Sequence, residues 1–146
     1  MEQKVESPFL LLLQRHLHGE TAGGESLREA FVSLDHLLVD IASDLQITYD
    51  GPGVGLGKQA DLHRLRIAEH HWTGTERVWG LAVCSYAGRG EPRSEWRIQR
   101  ASRERLPVIL RALPEFFRGY AELADRDRQG RGSGKRLHDI ALLLER

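Results

Sequence analysis

From residue 62 to residue 100, apolar side chains recur at every second position, and two clusters of turn-forming residues interrupt the run. That period places successive side chains on opposite faces of an extended chain. Leu62–Trp72 sets Arg64 and Arg66 on one face and Leu65 and Ile67 on the other. Thr73-Gly74-Thr75 marks a turn, Arg77–Tyr86 a second strand and Ala87–Arg93 a second turn. Ser94–Arg100 is a third strand, with Trp96 and Ile98 opposite Glu95, Arg97 and Gln99. Connections this short join antiparallel neighbours, so the segment predicts a meander. The middle strand constrains it further. Trp79, Leu81 and Val83 point one way, and Val78, Ala82, Cys84 and Tyr86 the other. Apolar residues on both faces require cover on both, by two layers of helices or by a second subunit on one side.

On either side of this region the period changes to that of a helix. Leu27, Ala30, Phe31, Leu34, Leu37, Leu38, Ile41 and Leu45 follow three- and four-residue spacing, opposite a polar face of Arg28, Asp35, Asp40, Ser43 and Asp44. Ser26-Leu27-Arg28-Glu29 matches a capping box at its start. Ser7-Pro8 opens an earlier helix through Phe9–Leu17 that stops at Gly19; its first turns are apolar nearly all round. Leu106, Ile109, Leu110, Leu113, Phe116, Phe117, Tyr120 and Leu123 form a third helical pattern, which Pro114 should kink or split. Leu137–Leu144 is a short terminal helix. Gln46–Tyr49 reads as a fourth strand, and the Gly-rich stretches at about 50–60 and 126–135 read as flexible loops. The sum is one α+β domain over residues 1–146: two N-terminal helices, a three- or four-stranded antiparallel meander, a kinked helix and a short C-terminal helix.

A chain of 146 residues with 40% hydrophobic and 29% charged residues holds its own core without disulfides. Cys84 is the single cysteine, so no internal disulfide can form. Phe9–Leu13 is too short a greasy run for a membrane span, and the acidic start lacks the basic lead of a signal peptide. A cytoplasmic protein with no membrane partner is the expectation. Net charge is zero, yet residues 1–61 carry −6 and residues 62–146 carry +6, a polarity that can steer a partner or pair two subunits.

No catalytic or cofactor motif emerges, and no cofactor or metal is expected. Gly51-Pro52-Gly53-Val54-Gly55-Leu56-Gly57-Lys58-Gln59 has Pro52 where a phosphate loop needs glycine and Gln59 where it needs a hydroxyl; Leu56 breaks the dinucleotide pattern. His70 and His71 are adjacent and point apart on a strand. His16 and His18 are two apart on a helix and do not face one another. Cys84, between Val83 and Ser85, reads as a small buried hydrophobe.

Arginine is the strongest surface signal. Arg89–Arg111 holds seven arginines against three glutamates, and Arg126–Arg136 five cations against Asp127. Guanidinium groups bind carboxylates and phosphates in a bidentate fashion. Arg64, Arg66, Arg97, Arg100, Arg103, Arg105, Arg131 and Lys135 are therefore candidate contacts to a partner or to nucleic acid, with Trp72 or Trp79 as a stacking aromatic if exposed among them. Phe9, Leu10, Leu13, Trp72 and Trp79 are candidate interface residues. Three readings follow. The first is a non-catalytic protein–protein interaction or assembly subunit, homo-oligomeric, whose partner is itself or another protein. The second is a module binding DNA or RNA through an Arg-rich sheet face and the basic linker. The third is a small enzyme whose site gathers His63, His70 or His71 with a carboxylate only in space.

Overall fold

The fold is described from a computed structural model, which covers residues 8–19, 24–54, 62–70, 78–86, 94–127 and 131–146; the side chains of 24–26, 62, 94, 131 and 132 lie outside that description. Pro8 opens α1 (Pro8–Leu17), where its missing N–H has no helical partner to lose. Gly19, at φ 94°, turns the chain out of it. The second helix, α2, spans Gly24–Leu45. It starts ahead of Ser26, which therefore lies inside the first turn and not at the cap. Gln46 ends it at φ 54°, donating its N–H to Ala42 O at 2.7 Å. Holding a non-glycine residue in this left-handed region costs on the order of 1 kcal/mol.

Four strands follow: β1 (Tyr49–Val54), β2 (Leu62–His70), β3 (Val78–Tyr86) and β4 (Ser94–Arg97). They pair antiparallel in chain order, the meander the alternation predicts. After β4 a 3-10 turn, Ile98–Arg100, leads to α3 (Leu106–Arg111), α4 (Leu113–Asp125) and α5 (Arg131–Glu145). Pro114 stands in the first turn of α4, so the expected break falls at Ala112 and splits the pattern into two helices.

Three boundaries differ from expectation. The stretch beginning at Asp50, read as irregular, contributes a strand. At Gly51 an added Cβ would stand 2.5 Å from Phe116 Cδ1 and 3.1 Å from Leu65 O. The missing side chain lets an aromatic ring of α4 lie on the strand, and that packing outweighs glycine's poor strand propensity. A register irregularity between Asp50 and Gly53 accommodates Pro52. The basic linker is also shorter than expected, because α5 begins at Arg131 and not at Leu137. There Gly134 leaves room for Asp125, whose Oδ1 would be 2.5 Å from an added Cβ, and His138 Nε2 meets Asp125 Oδ2 at 2.7 Å. Docking on the end of α4 stabilises a turn that composition alone disfavours. Finally, the third strand ends at Arg97 as the chain tightens into the 3-10 turn.

One face of the sheet, with Leu65, Ile67, Leu81 and Val83, is buried in a core shared with all five helices. Helix α2 crosses β3, α4 lies on β1, and α1 and α5 pack behind them. The opposite face carries Asp50, Arg66, Ala82 and Arg97 in one row and Arg64, Cys84 and Glu95 in the next. The cover expected on both faces is incomplete here, since Val78 is 37% exposed. Ala82 and Cys84 are at 0% exposure because they are small enough to lie beneath the long side chains of flanking strands.

Candidate interaction surface

The arginines singled out in the sequence divide into three groups. The first sits on the sheet face opposite the helix-covered core and is already matched. Arg66 lies between two carboxylates, with Nη1 3.1 Å from Glu95 Oε2 and Nε 3.3 Å from Asp50 Oδ1. Arg64 donates to Gly51 O at 3.1 Å. Tyr86 donates its hydroxyl to Asp50 Oδ1 at 2.7 Å, and burial with the nearby Asp50 pushes its pKa up. Arg97 pairs with Ala82 in the same row and also makes polar contacts of its own.

Glu95 organises the rest of that face. Its Oε2 accepts from the Cys84 thiol at 3.3 Å, and its Oε1 lies 3.1 Å from His70 Nδ1. Burial is the main cause raising the Cys84 pKa, with Glu95 adding to it. The thiol is thus held protonated, the reverse of what a nucleophile needs. His70, 4% exposed, is pushed below the ordinary histidine value by burial, against the pull of Glu95. His70 therefore does meet a carboxylate, which sequence spacing could not show. His63 is on the opposite, helix-covered face with Leu65 and Ile67, and His71 lies outside the described residues. Among the described residues no three His, Cys, Asp or Glu side chains are grouped to hold a metal ion.

The second group is different in kind. Arg100, Arg103 and Arg105 follow β4, and Arg111 ends α3; all four are exposed. Arg105 lies over the Trp96 ring, 5.4 Å from its centroid. Among the described residues, Arg100, Arg103 and Arg111 make no ion pair. Glu104 is the one acid within this ridge. The ridge is fixed to the body through Gln99, whose carbonyl accepts from Arg28 Nη1 at 3.0 Å and whose amide donates to Asp35 Oδ2 at 2.9 Å.

The third group is on α5. Lys135 faces Asp139 one turn on at 3.9 Å, an exposed pair of little energetic weight. Arg131 opens the same helix, but its side chain lies outside the described residues.

Of the expected interface residues, Leu10 and Leu13 are buried in the chain's own core, while Phe9 and Trp79 are partly buried against it. Trp79 sits on the helix-covered face, away from Arg64 and Arg66, so it forms no stacking platform among them. Trp72 lies outside the described residues.

Asp35, read as part of the polar face of α2, is a correction. It is 3% exposed, and its Oδ1 accepts the Leu81 N–H at 2.9 Å, one residue past the last β3–β4 pair. Burial raises its pKa above the usual carboxylate value even though Leu81, Arg97 and Gln99 pull it down. The one hint in the sequence is its position at the border of the apolar stripe.

A small cleft of about 240 Å³ opens between β1 and α4, lined by Tyr49, Pro52, Glu115, Arg118, Gly119 and Glu122. Its Arg118 is already bound to Glu145 Oε2 at 2.6 Å. Among the described residues no helix is long and apolar enough to cross a membrane. No protein-family model, curated protein or solved structure matches the chain.

Proposed function

We propose that this chain is a non-catalytic interaction protein that receives an acidic protein surface on the ridge from Arg100 to Arg111. One observation carries the reading: Arg100, Arg103, Arg105 and Arg111 are exposed together on one short connection without a carboxylate partner among the described residues, whereas the other exposed arginines without one, Arg15, Arg126 and Arg136, lie on other elements, and Arg66, Arg118 and Lys135 are each paired. An exposed, already paired charge gains little from a partner, but an unpaired one gains a charge-assisted hydrogen bond. A protein partner is favoured over DNA or RNA because Trp79 and Trp96 pack against the core and Arg105 covers Trp96. No aromatic is thereby offered for base stacking within the ridge. A cytoplasmic setting belongs to the same reading, supported by a lone cysteine kept as a buried thiol.

The test is titration of the protein with polyglutamate and with duplex DNA at low and at physiological ionic strength. Polyglutamate should bind, and R100E/R103E should weaken it roughly tenfold or more. Tighter binding of the duplex would replace this reading with the nucleic-acid one. Binding of neither would overturn both.

A further inference from the structure

Resting on the reading above, we infer that the acidic partner is a second copy of this chain, contacted head to tail through the outer face of α2. That face presents Glu29, His36, Asp40, Ser43 and Asp44, all exposed, with Val32 and Val39 half-buried along its border. The lone cation of α2, Arg28, is turned away to Gln99 O. Among the described residues, Glu29, Asp40 and Asp44 make no ion pair.

The placement of Asp44 is unfavourable within one copy. Asp44 lies in the last turn of α2, which contains no basic residue. The backbone dipole makes that end negative, so a carboxylate there raises the energy of the helix and an external cation lowers it. The ridge of the same chain is poorly placed to supply one. Gln99, at its base, is held by Asp35 and Arg28. Asp44 is nine residues beyond Asp35, about two and a half turns and ~13 Å along the axis, on the opposite side of the helix. That exceeds the physiological screening length of ~8 Å. Asp44 is therefore set apart from Gln99 at the base of the ridge, whereas Glu29, next to Arg28, lies nearer to that base.

A basic ridge and the distal acids of α2, complementary in charge and set apart within one copy, favour a heterologous contact, the ridge of one copy on the α2 face of the next. The chain's zero net charge suits such a repeat, since charge does not accumulate as copies add.

The experiment is a charge swap followed by sedimentation velocity at low ionic strength. Wild type should associate with rising concentration and return to monomer as salt is added. D40K/D44K and R100E/R103E should each be monomeric, and an equimolar mixture of the two should associate again. D40K/D44K should melt no lower than wild type, because it removes acids from the negative end of a helix, so its loss of association cannot be ascribed to unfolding. Association of D40K/D44K equal to wild type, or no recovery on mixing, would overturn the inference. A wild-type protein that binds polyglutamate yet stays monomeric at every concentration would defeat the self-association alone and leave the ridge as a site for another acidic protein.

Discussion

Gly51 shows how one missing side chain can decide the placement of an element. The Phe116 ring and the Leu65 carbonyl both stand where its Cβ would go, and neither can retreat. Phe116 is fully buried and packs edge-on to Phe117 at 5.3 Å, and the carbonyl belongs to β2. Gly51→Ala gains no helix propensity to offset the clash, so overpacking governs the outcome. We expect a loss of roughly 1–3 kcal/mol, read as a lower denaturation midpoint in urea with an unchanged slope. Neighbouring Tyr49 reinforces the same seam. Its ring stacks on Tyr120 at 4.9 Å, and its hydroxyl donates to Phe116 O at 2.9 Å. Gly119 is the matching gap on α4, since an added Cβ there would run into the Tyr49 hydroxyl.

At the scale of elements, Asp35 joins α2 to the sheet where β4 ends. One oxygen accepts the N–H of Leu81 and the other the side chain of Gln99. Asp35→Ala would leave the Leu81 N–H without its acceptor and release the 3-10 turn that carries the arginine ridge. The expected cost is about 1–3 kcal/mol, the penalty for stranding a buried donor. Amide hydrogen exchange would check it: the Leu81 amide should lose protection in the variant, and unchanged protection there would refute the linking role. Elsewhere elements are joined through apolar contact and a few long-range bonds, such as Gln14 Nε2 to Leu143 O at 2.9 Å between α1 and α5. The exposed Arg118–Glu145 pair between α4 and α5 is screened by water and adds little.

At the scale of the whole molecule, the three tyrosines of the sequence report on the native fold together. Burial is the first cause raising all three above the ordinary value of 10. Tyr49 is pushed up to about 12, with Glu115 and Glu122 adding to the effect. Tyr86 and Tyr120 are also raised, the latter lying at zero exposure. A raised folded pKa means that the fold keeps a proton the unfolded chain gives up. The associated stability is therefore complete below pH 10 and is lost as pH climbs from there through about 12. An alkaline absorbance titration should show almost no phenolate at pH 10, where the unfolded chain is half ionised. A native chain with even one tyrosine ionising at the ordinary value would contradict the described packing.

The order of elements was legible in the chain because each depends on local periodicity. Alternation over 62–100 specified a meander, three- and four-residue spacing specified the helices, and Pro114 specified the break before α4. The fourth strand was only partly legible: Tyr49 was within reach of the pattern, but Gly51, Pro52 and Gly53 signal a loop until Phe116 is brought against them. The ridge was visible as a run of arginines, yet sequence could not sort the matched charges from the unmatched. Arg66 finds its carboxylates at Asp50 and Glu95, which are distant in the chain and are brought together by strand pairing. Sequence determined the local conformations, because backbone preference and the apolar repeat act over a few residues. The tertiary structure alone decided which polar groups meet, because desolvation and ion pairing depend on distance in space between residues the chain holds far apart.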